Sequence, residues 1–235
     1  MKYRKNKFYK GKIILIVLVI VAMIFSGYFG YNLFREHQYI ATVVIDPGHG
    51  GYDVGSIGYD GSYEKDLTLS IALRTGRKLK ELNPDINVVY TRSNDTVDWA
   101  DNEEDDLIGR VIFANEQNAD YFFSIHLNAS ENTAAYGYNA FIRSNDPASE
   151  TIANSIDNNL TEENWLYNRG LEYTNSYPLY VVDNLDIPSM LFEVGFITNP
   201  QECADLQKTS NQELIAECIA NAYNKRSHFE DLTER

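Results

Sequence analysis

Two histidines and two glutamates are the residues of this sequence best suited to metal binding and acid–base catalysis. His49 follows the apolar run VVIDPG, and His126 ends the run YFFSI. Glu193 ends the run SMLF, and Glu64 opens an amphipathic segment shortly after His49. Two imidazoles and a carboxylate with an open position make a catalytic zinc site, and a second carboxylate can supply a base.

These residue types also have simpler structural interpretations. A histidine at the end of a strand can be a hydrogen-bonded core residue, and Glu64 can be a charge that the dipole of a helix N-terminus stabilises. Glu193 lies among apolar residues, where a carboxylate is costly unless it is paired or functional. The remaining histidines, His37 and His228, precede the main body and lie in the polar tail, so we expect them at the surface.

The segment from Gly48 to Gly61 holds six of the 14 glycines in the chain. A glycine-rich turn after a strand can bind phosphate, but Asp53 stands where the dinucleotide fingerprint needs glycine, and no Gly-Lys-Ser/Thr follows. No G-x-S-x-G elbow is present either. We therefore expect these glycines to let the backbone fold tightly around a metal and admit a substrate.

Apolar periodicity predicts an α/β domain with a largely parallel central sheet flanked by helices. The expected strands are Ile40–Ile45, Ile86–Thr91, Tyr121–Ile125, Tyr138–Ile142, Leu179–Val182 and Met190–Val194. The expected helices are Asp66–Leu82, Leu107–Gln117, Ser149–Leu160 and Gln212–Tyr223. In such a sheet, ligands bind beyond the carboxyl ends of the strands, so His49, His126 and Glu193 are expected to converge there.

The acidic segment Asp95–Asp106 is predicted to be a solvated loop, because its ligand order does not fit a calcium-binding loop. The two cysteines, Cys203 and Cys218, are expected to be small buried apolar groups. Neither has a histidine nearby in sequence that would indicate a catalytic thiol.

The N-terminus has the pattern of a membrane anchor. Residues 1–12 carry six Lys and Arg and no acid, and residues 13–34 are uncharged, enough for a helix to cross ~30 Å of hydrocarbon. A cleaved signal peptide shares this pattern, but Tyr28, Phe29, Tyr31 and Phe34 resemble the aromatic belt of a spanning helix more than a cleavage site. We expect a basic cytoplasmic tail over 1–12, a transmembrane helix over 13–34, and the rest outside the cell.

The body of the protein is strongly acidic. Six of the 20 Lys and Arg lie in the first twelve residues, which leaves 14 basic against 34 acidic residues. This balance makes nucleic acid or an anionic lipid surface an unlikely partner for the body.

Three blocks of sequence together resemble a known family. VVIDPGHGGYDVGSIG with the following EKD, then FFSIHLNAS, then PSMLFEVGFITNPQE are similar to the zinc-dependent N-acetylmuramoyl-L-alanine amidases of bacterial cell walls, the third amidase family. The pair Thr91-Arg92 and the spacing from Arg110 to Ala114-Asn115 also resemble the pattern of this family. The resemblance covers about residues 41–223 as a catalytic domain, leaving 224–235 as a polar tail.

The resemblance implies a set of roles. His49, Glu64 and His126 would be the zinc ligands and Glu193 the catalytic glutamate. The reaction would be hydrolysis of the amide between N-acetylmuramic acid and L-alanine in peptidoglycan. Two alternatives stay open: another zinc-dependent peptidoglycan hydrolase, such as an endopeptidase or a deacetylase, or a non-catalytic wall-binding module.

Overall fold

The computed structural model describes residues 17–26 and 39–224. The chain divides into two compact units, Met1–Gln38 and Tyr39–Arg235. In the first unit, residues 17–26 form a helix with exposed side chains. Across the described residues, no helix is both long and apolar enough to span a membrane. The basic tail, the rest of the expected span 13–34, and the tail from residue 225 lie outside the described residues.

The second unit alternates strands and helices along its length. Its strands are β1 (Ala41–Pro47), β2 (Ile86–Tyr90), β3 (Tyr121–Asn128), β4 (Tyr138–Ile142), β5 (Asn168–Tyr173) and β6 (Ser189–Phe196). Its helices are α1 (Glu64–Leu82), α2 (Glu103–Glu116), α3 (Pro147–Glu162), α4 (Tyr180–Asp183), α5 (Pro200–Leu206) and α6 (Thr209–Asn224).

The strands form one mixed sheet in the order β2-β1-β3-β6-β4-β5. β2, β1, β3 and β6 are parallel neighbours, whereas β4 runs antiparallel to β6, and β5 pairs parallel with β4. Parallel neighbours need long crossover connections, and α1 and α2 lie in the connections between β1, β2 and β3. The expected α/β architecture with a largely parallel sheet is confirmed.

A hydrophobic core lies on each face of the sheet. The larger core contains buried residues of α1, α3, α5 and α6, such as Ile71, Ile156 and Ile219. The smaller one contains buried residues of α2 and α4 against Val44 and Phe122. Alternate residues of a strand point to opposite faces, so the buried strands are apolar on both sides, as the continuous runs in the sequence predicted.

The segment Leu179–Val182, predicted as a strand, is instead the start of the short helix α4. The Asp183 carboxylate accepts a hydrogen bond from the Leu179 amide at 2.7 Å, and the Leu179 carbonyl accepts from the Val182 amide at 2.9 Å. Four residues are too few to show whether their apolar spacing is that of a helix or of a strand. The two hydrogen bonds that close this turn fix the segment as a helix. The strand β5 and the helix α5 were not predicted.

The acidic segment Asp95–Asp106 is only partly the solvated loop that was predicted. Asp98 and Asp101 are exposed, but the segment ends in the first turn of α2, where Asn102 caps the helix and acidic side chains face its N-terminus. Asp106 is buried and pairs with Arg110, while Asp95 pairs with Lys65. Both ends of the segment are therefore fixed to the body.

Candidate metal centre

His49 is held in an unusual backbone conformation just after β1. Its φ angle is 62°, in the left-handed region that few residues other than glycine adopt. Its Nδ1 lies 2.6 Å from the Asp53 carboxylate, which in turn accepts a hydrogen bond from the Gly55 amide. Because Asp53 occupies Nδ1, the ring presents Nε2 to the interior of the site.

Glu64 gathers both histidines around one carboxylate oxygen. Its Oε1 lies 3.1 Å from His49 Nε2 and 3.2 Å from His126 Nδ1, and it also accepts the Leu127 amide at 2.9 Å. Its Oε2 accepts the Ser56 amide at 2.9 Å. The first residue of α1 is thus fixed by a loop and by β3, and the structure brings His49, Glu64 and His126 together as the sequence predicted.

Glu193 lies beside this cluster, in register with His126 across the β3–β6 ladder. Residues paired in this way point to the same face of a sheet. The Oε2 atom of Glu193 is shielded from solvent and has no hydrogen-bond partner among the described residues. A buried carboxylate oxygen without a partner is costly, so this atom is the clearest sign of a group kept for a reaction.

The charges of the cluster shift its pKa values in different directions. Burial acts to lower the pKa of His49, but hydrogen bonds and charge from Glu64 and Asp53 outweigh it and raise that pKa to about 9. Burial acts to raise the pKa of Glu64, but the two histidines hold it well below its usual range. Burial and the charge of Glu64 raise the pKa of Glu193 to about 8, although His49 opposes this.

The glycines after β1 are explained by close packing inside the site. A Cβ on Gly48 would lie 2.3 Å from the His126 ring, and one on Gly55 would lie 2.6 Å from the ring of His49. A Cβ on Gly50 would meet Arg92 at 2.8 Å, and Gly50 also has a φ of 132°. The expected tight fold is confirmed, and the groups that press on these glycines are the site's own side chains.

Two buried arginines hold the turn that carries His49. Arg92 donates to the carbonyls of Pro47 and Gly48 at 3.0 and 2.9 Å, and Arg110 donates to those of Pro47 and His49 at 3.0 and 2.8 Å. Three consecutive carbonyl groups are thereby fixed by guanidinium donors. This hydrogen bonding stabilises the strained His49 backbone in the conformation that faces Glu64.

The three clustered residues fit a metal ion. Their ligand atoms, two imidazole nitrogens and one carboxylate oxygen, all lie within 4.8 Å of one another. A carboxylate on the outer nitrogen of a metal-binding histidine is a common supporting contact, and Asp53 provides it for His49. The fit to a metal ion therefore rests on the types of the three ligand atoms and on the contact between His49 Nδ1 and Asp53.

The sequence predicted the four candidate site residues but not the residues that support them. In the sequence, Asp53 breaks a nucleotide fingerprint, and its position four residues after His49 is the signal that could have indicated the contact between them. The spacing of Arg92 and Arg110 fits the family but does not indicate what their side chains contact. Their contacts with the His49 turn join residues more than 40 positions apart, which no local pattern reports.

The fold and the donor set together define a class: an α/β protein with a candidate metal centre at the carboxyl edge of its parallel strands. Comparison with known proteins then gives the family. The profile of the N-acetylmuramoyl-L-alanine amidase family matches residues 43–225, and the chain belongs to this family. The resemblance seen in the sequence is confirmed.

Individual relatives agree with this assignment. The germination-specific N-acetylmuramoyl-L-alanine amidase of Bacillus subtilis is 32% identical over 184 residues, covering 75% of this chain and 76% of that protein. The catalytic domain of the amidase CwlV from Bacillus (Paenibacillus) polymyxa superposes with a TM-score of 0.70 at 34% identity, covering 80% of this chain and 98% of that one.

A third relative is the CwlD amidase of Clostridioides difficile, whose structure is a complex with the GerS lipoprotein. It superposes with a TM-score of 0.72 at 28% identity, covering 81% of this chain and 99% of that one. Family membership makes this chain a peptidoglycan amidase, which cleaves the bond between N-acetylmuramic acid and L-alanine.

Proposed function

We propose that this amidase is zinc-dependent and that His49, Glu64 and His126 are the metal ligands, with Glu193 as the catalytic base. The observation that carries the proposal is the unpartnered, solvent-shielded oxygen of Glu193 beside the three clustered ligands. A non-catalytic wall-binding module would have no reason to keep a solvent-shielded carboxylate oxygen without a partner.

In this mechanism Glu193 moves a proton, and Asp53 orients one of the metal ligands. A bound zinc ion would lower the pKa of a coordinated water toward ~7 and polarise the scissile carbonyl. Glu193 takes the proton of the attacking water and returns it to the leaving amine of L-alanine, the double duty of a single general base. A carboxyl group whose pKa lies near neutrality suits both halves of that transfer. Asp53 keeps His49 oriented through its Nδ1.

We also propose that the chain is anchored in the membrane by residues 13–34, with its N-terminus in the cytoplasm and its catalytic domain outside. The basic residues of segment 1–12 support this orientation by the positive-inside rule. Cell-wall polymers are often anionic, so the acidic body would not be held to them by charge. A tether supplies the local concentration that electrostatics does not. If residues 13–34 were a signal peptide instead, the product would be a secreted form.

The experiment that tests the reaction identifies the bond that breaks. Purified peptidoglycan is digested with zinc-loaded residues 39–235, and His126→Ala serves as the matched control. New N-terminal L-alanine with unchanged reducing ends is expected. New N-termini within the stem or cross-bridge would show an endopeptidase, and acetate release alone would show a deacetylase; either result contradicts the amidase assignment.

A further inference from the structure

Arg169, on β5, is an exposed cation that forms no salt bridge with the described residues. Most Lys and Arg side chains between residues 39 and 224 form salt bridges: Lys65, Arg74, Arg77, Lys78, Arg110, Arg143 and Lys208. Among the described residues, Arg169 has no salt bridge; it donates only to the Tyr136 carbonyl, at 3.2 Å. Arg92 and Lys80 also lack a salt bridge there, but Arg92 is buried and donates to carbonyl groups, and Lys80 lies near the far end of α1. The charge of Arg169 acts on the pKa of Glu202 without a direct ion pair.

The guanidinium of Arg169 is held in place from one side. It lies 5.0 Å from the centroid of the Phe196 ring, which is buried. Stacking of a guanidinium on an aromatic face limits its motion and leaves the donors at its outer edge available. Arg169 is therefore an oriented group, unlike a long side chain that extends freely into water.

Strand register places this group on the same face of the sheet as the metal site. The β3–β6 ladder pairs His126 with Glu193 and then Asn128 with Phe196, with one register shift between the two pairs. Asn128 lies two residues after His126 and so points to the same face, and Phe196 shares that face through its pairing. The Asn128 side chain also donates to Asn139, which pairs with Glu193 from the other side.

The residues around Arg169 are held in place by specific hydrogen bonds and close contacts. The carboxylate of Glu202 accepts the Gly137 amide at 2.7 Å and the Phe196 amide at 2.6 Å, so both of its oxygens are already engaged. Gly137 has a φ of 104°, and a Cβ there would lie 2.3 Å from the Tyr167 carbonyl. The rings of Tyr136 and Tyr167 lie 5.5 Å apart and are more than half exposed. We call Tyr136, Tyr167, Arg169 and Phe196 the β5 platform.

The distance from the reaction centre to the platform is that of a short piece of peptide. Two ladder positions separate Glu193 from Phe196, which is about 7 Å at ~3.3 Å per residue. The guanidinium lies 5.0 Å beyond the ring centroid of Phe196. An extended peptide advances about 3.3–3.6 Å per residue, so these two distances together correspond to at most about three to four residues, and a group on the second stem residue lies within that reach.

We propose that the β5 platform is a substrate subsite in which Arg169 binds the free α-carboxylate of the stem-peptide residue that follows L-alanine. The inference rests on the amidase function and names the part of the substrate that the cation recognises. A guanidinium matches a planar carboxylate with two parallel hydrogen bonds, a geometry that an amide in the same position does not reproduce. The amidase then distinguishes stems with a free carboxylate from stems in which that group is amidated.

The test compares two soluble muropeptides that differ in one group. One carries D-glutamate after L-alanine, and the other carries D-isoglutamine. The wild-type protein is expected to have the higher kcat/KM for the D-glutamate form, with the difference mainly in KM. In Arg169→Gln this preference should fall by about tenfold, the scale of one partly exposed charged hydrogen-bond pair. Arg169→Lys should retain part of it, because the charge remains and the bidentate geometry is lost.

Lys80→Gln is the matched control. It also removes an exposed positive charge that has no salt bridge among the described residues, but near the far end of α1 from Glu64. Its substrate preference should equal that of the wild-type protein, which separates a local contact from a change in net charge. Zinc content and melting temperature, measured for every variant, separate a lost subsite from a damaged fold.

Binding of the peptide product gives a readout without catalysis. The zinc-loaded protein is titrated calorimetrically with L-alanyl-D-glutamate and with L-alanyl-D-isoglutamine, and tighter binding of the first should disappear in Arg169→Gln. An active Arg169→Gln enzyme that keeps the wild-type preference would overturn the subsite. The subsite would also be overturned if Lys80→Gln lost the preference for D-glutamate as much as Arg169→Gln does. If neither muropeptide yields free N-terminal L-alanine with the wild-type protein, the amidase function itself fails.

Discussion

At the scale of single residues, Glu193 and Asp53 are two carboxylates near the candidate metal centre whose environments differ. Asp53 is partly exposed and bonded to His49, and its pKa is lowered because hydrogen bonds from His49 and Gly55 outweigh the effect of its burial. Glu193 has one oxygen without a partner among the described residues, and its pKa is raised to about 8. The first group can orient a ligand while ionised, and the second can exchange a proton near neutral pH.

Glu193→Gln is expected to keep the metal and the fold and to reduce kcat by roughly 10²-fold or more, the scale of a lost general base. Release of N-terminal L-alanine from peptidoglycan measures the rate, and elemental analysis measures zinc. His126→Ala should lose the zinc as well, because it removes a ligand. Glu163→Gln, an exposed site at the end of α3, is the control for the change of side chain. A Glu193→Gln enzyme with near wild-type rate would show that another group is the base.

At the scale of elements, the turn after β1 depends on arginines that arrive from other parts of the chain. Arg92 follows β2 and reaches both the His49 turn and the start of α1, where it donates to the Lys65 carbonyl at 2.8 Å. It thereby joins the segment that carries His49 to the one that carries Glu64. Arg110, from α2, adds an ion pair with Asp46 at 2.6 Å.

Arg92→Lys is expected to weaken zinc binding by about 10- to 100-fold, the range seen when groups that orient metal ligands are changed. Lysine keeps the charge but cannot make the several directed bonds that Arg92 makes to carbonyl groups. Competition with a chelator measures the affinity, and Arg74→Lys, in a partly exposed pair with Glu213, is the control. Unchanged zinc affinity in Arg92→Lys would contradict a positioning role.

Asp46→Asn is expected to destabilise the domain by about 3 kcal/mol or more at pH 7, since it removes one partner of a buried ion pair. Burial acts to raise the pKa of Asp46, but Arg110, Ser124 and Thr91 outweigh it and lower that pKa below its usual value. Ionised Asp46 therefore stabilises the folded state above the unfolded pKa of ~3.9, and this contribution is lost as pH falls through the lower folded pKa.

Denaturant unfolding of the Asp46→Asn variant at pH 7 and near pH 3 measures this dependence. The difference from the wild-type protein should be smaller at the acidic pH, and Asp101→Asn, at an exposed position, should change little at either. If the difference in unfolding free energy between Asp46→Asn and the wild-type protein grew as the pH fell, the predicted direction of the pH dependence would be wrong.

At the scale of the whole molecule, the chain separates a short N-terminal unit from a catalytic unit that begins at Tyr39. The catalytic unit contains all residues of both hydrophobic cores, so we expect residues 39–235 to fold alone. The N-terminal unit would then determine where the enzyme is located, and its removal should leave the rate of hydrolysis of soluble muropeptides unchanged.

The N-terminus is expected to remain attached in the mature protein, because the aromatic residues after the apolar run do not form a cleavage site. Intact mass of the membrane-extracted chain measures this directly. A species that begins near Tyr31 would show a cleaved signal peptide. A secreted form that stays at the wall without residues 1–38 would contradict the need for a tether.

The sequence by itself determined the α/β class and predicted four residues for the candidate site, of which the structure clusters His49, Glu64 and His126. Apolar runs report burial, and a parallel sheet gathers the ends of its strands at one edge, so His49, His126 and Glu193 could be placed together without coordinates. Glu64 followed because the first helix begins on that same side. Three sequence blocks in order also indicated the family, which the comparison confirmed.

Only the tertiary structure decided the parts that depend on distant pairings. Such pairings are the antiparallel contact of β4 with β6 and the parallel contact of β5 with β4, the carbonyl contacts of Arg92 and Arg110, and the stacking of Arg169 on Phe196. Local periodicity records which side of an element is buried but not which partner buries it. The register shift in β6 is such a case, since a single extra residue decides that Phe196 and Glu193 share a face.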